Sequence, residues 1–202
     1  MKNMSRDNQK VKTSLSKVGY ALVSVVDGSY QTIVWHVTDE EGGREYTADP
    51  KGDAKKLYAD GKEVYSEPGN DGYDIKLTLL AATDTVETAW YSCFDNEGSN
   101  GVVEISTAEE NPHFALILVE DTTDGEGVTN IFYDCQCSGR PSITGKTKEG
   151  SSWDAQFPEY PITARARETD GLVRYRINGK LDEKTTKLPM PASISSLSAA
   201  KA

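Results

Sequence analysis

Two glycines, a lysine and a threonine in the run Gly139-Arg-Pro-Ser-Ile-Thr-Gly145-Lys146-Thr147 are the residue types that cradle a nucleotide phosphate. That chemistry needs Gly, four residues, Gly-Lys-Ser/Thr on a turn between a strand and a helix, with the helix pointing free N–H groups at the phosphate. Here five residues separate Gly139 from Gly145, one too many. Gly150, Ser151, Ser152 and Pro158 follow without helical periodicity. The sequence therefore predicts no nucleotide site.

Other chemistry fares no better. His36 stands in a β-rich run between Trp35 and Val37, and His113 precedes Phe114, so the two histidines read as structural. No Gly-x-Ser-x-Gly elbow supports a serine nucleophile. The run Asp121-Thr-Thr-Asp-Gly-Glu-Gly127 lacks the alternate carboxylates and closing Glu of a calcium loop and reads as a hairpin turn. Trp35, Trp90 and Trp153 could form a sugar platform, but Trp35 is already explained by its strand and Trp90 by a helix stripe. Three cysteines make neither a four-ligand zinc set nor an even disulfide framework. Cys135 and Cys137 lie two apart in a strand, on one face, as buried thiols. The expectation is a protein with no catalytic residue, no metal and no cofactor.

The elements are mostly β. Val18–Val26 and Gln31–Thr38 flank Asp27-Gly28-Ser29, a hairpin signal. Residues 39–72 read as a long acidic loop or extended hairpin, with short strands Lys56–Ala59 and Glu63–Ser66 around Asp60-Gly61. Tyr73, Ile75, Leu77 and Leu79 alternate with polar residues as a half-buried strand. Asp84 and Glu87 have capping-box spacing, and Val86, Ala89, Trp90, Cys93 and Phe94 form the apolar stripe of the one helix, ended by Gly98. Val102 and Val103 begin a short strand. Phe114–Val119 is apolar on both faces and leads through the 121–127 turn into Val128–Cys137. The last hairpin pairs Arg165 with Arg174 around Glu168–Gly171, which would gather Arg165, Arg167, Arg174 and Arg176 on one face. Residues 1–17 and 180–202 read as flexible arms around a domain at 18–179. The expected fold is a mainly β sandwich or partial barrel with one flanking helix.

Charge is distributed unevenly over the 202 residues, whose net is −10. Residues 1–17 hold five basic and one acidic residue, a net +4; 39–126 hold 22 acidic and 6 basic, a net −16; 127–202 hold 8 acidic and 11 basic, a net +3. Such a chain can pair with copies of itself, and its acidic middle disfavours DNA adhesion. No apolar run approaches a membrane span. Met1–Lys17 lacks the apolar core of a signal peptide, so synthesis in the cytoplasm is expected.

Several blocks recur in a familiar order: Leu-Tyr-Ala-Asp (57–60), Asn-Asp-Gly-Tyr (70–73), Pro-His-Phe-Ala-Leu-Ile-Leu-Val (112–119), Phe-Tyr-Asp-Cys (132–135), the 139–149 run, Pro-Ile-Thr-Ala (161–164) and Gly-Leu-Val (171–173). In these the chain resembles the major tail proteins, or tail tube proteins, of siphophages that infect Gram-positive bacteria, from about Val18 to Ile177. The resemblance implies a tail-tube-type β fold and hexameric rings stacked around a tape-measure protein. It also implies contacts with distal tail and tail terminator proteins, a virion location, and DNA in transit rather than bound. Arg140, Lys146 and Lys148 would then lie in a loop ordered at a subunit contact, and the four-arginine face would meet carboxylates across a subunit boundary. Another virion β-sandwich, such as a tail-completion or decorating protein, and a carbohydrate-binding module or hydrolase are the alternatives.

Overall fold

The structure is a computed structural model that describes residues 11–36, 42–52, 55–67, 69, 71–81, 83–91, 93–95, 101–105, 110–141, 147 and 155–192. It is mainly β with one helix. The strands are β1 (Lys12–Leu22), β2 (Val34–Trp35), β3 (Gly43–Lys51), β4 (Lys55–Ala59), β5 (Lys62–Glu67) and β6 (Gly72–Leu79). After the helix α1 (Asp84–Tyr91) come β7 (Phe94–Asp95), β8 (Val102–Val103), β9 (Phe114–Thr122), β10 (Val128–Cys137), β11 (Glu159–Arg165) and β12 (Arg174–Asn178). Eight strands form one open sheet in the order β2-β1-β9-β10-β11-β6-β3, with β12 also on β10. The pairings in this sheet are antiparallel. β4–β5 and β7–β8 are separate two-stranded ribbons.

β9 is apolar from Phe114 to Val119 because both faces of that stretch are covered. Phe114, Leu116 and Leu118 join a first core with Val18, Ile75 and Leu77; Ala115, Ile117 and Val119 join a second with Ile131 and Tyr133. This is the period of two expected of a strand. The sheet curls over the first core until β3, at one end of the strand order, reaches β1. Gly43 lies close against β1, where a Cβ would fall 2.3 Å from Val18 Cγ2. A side chain at 43 would push β3 off β1. Among the described strands no ladder joins the two, so of the two expected architectures the curled sheet corresponds to the partial barrel.

The helix starts from Thr83, whose Oγ1 accepts from the Val86 N–H at 3.4 Å and whose carbonyl accepts from Glu87. Asp84 is therefore the first helical residue rather than the cap. Asp84 and Glu87 still favour the positive end of the helix dipole. The helix ends at Tyr91, earlier than the stripe through Phe94 implied. Phe94 pairs with Val103 in the β7–β8 ribbon and is exposed. Gly98 lies outside the described residues.

Three further expectations are corrected. The N-terminal arm is a strand from Lys12 on, because Lys12 to Leu22 finds the whole of β9 to pair with. The acidic segment 39–72, read as a long loop or an extended hairpin, is strand over much of its described length, so the loop reading falls: Gly43–Lys51 pairs with β6. The short hairpin read around Asp60-Gly61 is present as β4–β5, and both turn residues take positive φ (51° and 75°) as a tight primed turn requires. The arm at 180–202 is docked as far as residue 189. Leu181 and Leu188 pack on the second core, Trp35 Nε1 donates to the Thr185 carbonyl at 3.2 Å, and the Ile33 N–H donates to Thr186 at 3.0 Å. Residues 1–10 and 193–202 lie outside the described residues.

Candidate interaction surface

The final hairpin is absent. β11 and β12 both pair antiparallel to β10, Cys137–Asp134 with Ile162–Arg165 and Phe132–Val128 with Arg174–Asn178. They run in the same direction, end to end along one edge of a ten-residue strand. The residues between them form a loop closed on itself, where the Arg167 N–H donates to Leu172 and the Gly171 N–H donates to Arg167. Asp170-Gly171 is a true turn, but it closes an excursion instead of reversing a strand.

This geometry divides the four arginines. Tyr175 and Ile177 pack on the second core, so Arg174 and Arg176, which alternate with them, face the other side of the sheet. Arg167 lies on the second-core side. Its guanidinium stands 5.5 Å from the Tyr30 ring centroid and 5.9 Å from that of Tyr133, and its Nε is 3.4 Å from Asp170. Arg167 is thus a packing residue. Burial raises the Tyr30 phenol to about 12, with Arg167 opposing the shift. Arg174 covers the Tyr73 ring at 5.6 Å. Among the described residues no carboxylate pairs with Arg165, Arg174 or Arg176.

Arg140 is paired within the chain, its Nη1 2.6 Å from Glu104, where both line a cavity of about 550 Å³ with Tyr91, Cys93 and Val102. Lys146 and Lys148 lie outside the described residues. Cys135 and Cys137 are buried on the first-core face as expected, and all three cysteines are free thiols. His36 is buried between the Tyr20 and Trp90 rings, and His113 Nδ1 lies 2.6 Å from Asp134. A sugar platform finds no support in the described tryptophans, since Trp90 is fully buried and Trp35 packs on the second core. Trp153 lies outside the described residues.

Two exposed apolar features carry no clear sequence signal. Val25 and Val26 stand in a turn held by Asp27, which accepts from the N–H and hydroxyl of Ser29, and both are fully exposed. They read as strand because valine favours strands, yet β1 ends at Leu22. On β5, Val64 and Tyr65 are both exposed. A third feature is polar. Glu120 on β9 is buried and holds Lys12, Tyr46 and Asn130 from three other strands. Burial and the adjoining Glu120 carboxylate push the Tyr46 phenol up, so it remains a donor. Set against known proteins, the chain matches no family model and no curated sequence.

Proposed function

We propose that this chain is the major subunit of a siphophage tail tube. Copies assemble into hexameric rings that stack around a tape-measure protein, between tail terminator and distal tail proteins, and the finished tube conducts DNA into the host. The observation that carries this reading beyond the resemblance is the unfinished state of the sheet. Among the described residues nine-residue β3 has no strand on its outer edge, and β4–β5 pairs only with itself while showing Val64 and Tyr65 to solvent. An isolated two-stranded ribbon is marginal in water and gains its stability from a partner surface. An unpaired edge is likewise a site for association, which Arg44, Glu45, Pro50 and Lys51 keep from being indiscriminate.

Assembly rather than turnover accounts for the chain's chemistry, and no enzymatic step is part of the reading. The acidic stretch 39–126 would supply a net negative lumen. Carboxylates there repel phosphates and let DNA slide, whereas lysines would add contacts that hold it. The test is negative-stain microscopy of the purified full chain over a concentration series. Rings or hollow tubes are expected. Monomers at every concentration, or glycan binding without assembly, would reject the proposal.

A further inference from the structure

Val25 and Val26 stand fully exposed, side by side, on a turn that is tied to itself. The Ser24 N–H donates to the Ser29 carbonyl at 2.8 Å, and the Gly28 N–H donates to the Ser24 carbonyl at 2.9 Å. Asp27 adds the bonds from the N–H and hydroxyl of Ser29. Two valines held out this way show apolar surface to water, which costs free energy until something covers it. The same chain carries a hole of matching character. The cavity of about 550 Å³ beyond the end of α1 has Tyr91, Cys93, Val102 and Pro141 as its apolar wall. Glu87 and Glu104 stand on its polar side, and Arg140, bonded to Glu104, is the one cation among its described lining residues.

Knob and hole lie at one end of the sheet, on opposite faces. The Val23 N–H donates to the His113 carbonyl just before β9 begins, and Tyr30, where the turn returns, packs on the second core. Arg140 and Pro141 follow β10, whose last residue Cys137 accepts from Asn111 near that same end of β9, and Tyr91 belongs to the first core. Two unlike surfaces on opposite faces meet only between copies, in a heterologous contact that closes into a ring or runs on as a filament. Because both sit at the same end of the strands, copies set side by side can join without a shift along the strand direction, which favours closure. We propose that the Val25-Val26 turn of one copy enters this cavity on the next. The valines lie against Cys93, Val102 and Pro141, and Asp27, directly after them, turns its carboxylate toward Arg140. The inference rests on the reading that copies form rings and names the anchor of the ring contact. A standard interface buries about 800 Å² per partner, more than two valines supply, so the knob anchors a wider contact.

Cys93 supplies the test, because it is a free thiol on the cavity wall while Cys135 and Cys137 are buried. Val25→Cys and Val26→Cys, each in the otherwise intact full chain, are concentrated and oxidised with diamide. At least one of them should give a ladder of disulfide-linked species beyond the dimer on a non-reducing gel. The ladder should vanish with reductant and when Cys93→Ser is added. Links between two knobs stop at the dimer and survive Cys93→Ser, so that pattern would overturn the proposal, as would no link from either variant. Both valines are fully exposed, so Val25→Asp combined with Val26→Asp should leave circular dichroism unchanged. It should weaken association in sedimentation by roughly tenfold, since carboxylates would enter an apolar wall unpaired; association equal to the parent's would also overturn the proposal. Tubes without the ladder would sink this contact and leave the tube reading standing, whereas a ladder without tubes would keep the contact and sink the tube reading.

Discussion

Trp90 lies flat on Phe114, with ring centroids 4.9 Å apart and planes 4° from parallel. The contact joins the only helix among the described residues to the central strand β9. Tyr20 and Tyr160 meet the same indole edge-on, at 5.6 and 5.4 Å. Trp90→Ala should cost about 3–5 kcal/mol, the usual loss when a buried aromatic is truncated. Trp90→Phe keeps the stack and should cost less than half as much. Urea unfolding followed by circular dichroism measures both. An alanine variant as stable as the parent would mean that α1 is not docked this way.

The segment after Gly179 should behave as part of the domain. Truncation there removes Leu181 and Leu188 and uncovers Ile33 and Tyr133. It also removes the carbonyls of Thr185 and Thr186 that accept from Trp35 and Ile33. Two half-buried leucines are together worth roughly 2–3 kcal/mol, so the truncated chain should lose about that much and bind a hydrophobic dye. Equal stability and no dye binding would restore the view of 180–202 as a free arm.

The same segment shows what the sequence could and could not reveal. β9 was legible because Phe114–Val119 is an unbroken apolar run, β10 because the 121–127 turn leads out of that run into it, and the β4–β5 turn because Asp60-Gly61 permits positive φ. The docked tail was not, since Leu181 and Leu188 are isolated anchors in a polar run. β3 was hidden for the reason that makes it an edge: four of its nine residues, Arg44, Glu45, Asp49 and Lys51, are charged, and Pro50 is among them. The β11–β12 misreading came from a local signal that was correct. Alternation on both sides of Asp170-Gly171 suggests a hairpin, but β10 is long enough to take the two strands in series, and only tertiary pairing decides. The Glu120 cluster was invisible because Lys12, Tyr46, Glu120 and Asn130 are distant in sequence and meet only in the folded sheet.

Acid stability should depend on Lys180. Its Nζ lies 2.7 Å from Asp121, and this hydrogen bond, then one from Ser14, holds the Asp121 carboxyl below its ordinary value of 3.8. A carboxylate depressed in the folded state adds stability above its unfolded pKa and loses it as pH falls through the folded one. Lys180→Met should therefore narrow the stability difference between about pH 5 and pH 2. Because the pair is partly exposed, the change should be well under 1 kcal/mol. Urea midpoints across that range read it out. Identical pH profiles for parent and variant would mean the pair is screened away.

The arginines that remain without a carboxylate give the sharpest test of assembly. Arg140 is committed to Glu104 and Arg167 to Asp170 and two aromatic rings, so substituting either would disturb the fold as well as any interface. Arg174 and Arg176 lack such a carboxylate among the described residues, although Arg174 also covers the Tyr73 ring. They are exposed, lie on one face of β12, and pair with no described carboxylate in a chain of net charge −10. Each exposed ion pair across a subunit boundary is worth at most about 1 kcal/mol, but in the proposed tube such a contact would repeat in every ring and its loss would be multiplied along the assembly. Arg174→Glu combined with Arg176→Glu should leave the monomer folded by circular dichroism and abolish fast-sedimenting material. Normal assembly by the double variant would mean these two arginines face solvent and the subunit contact lies elsewhere, at the β3 edge or the β4–β5 ribbon.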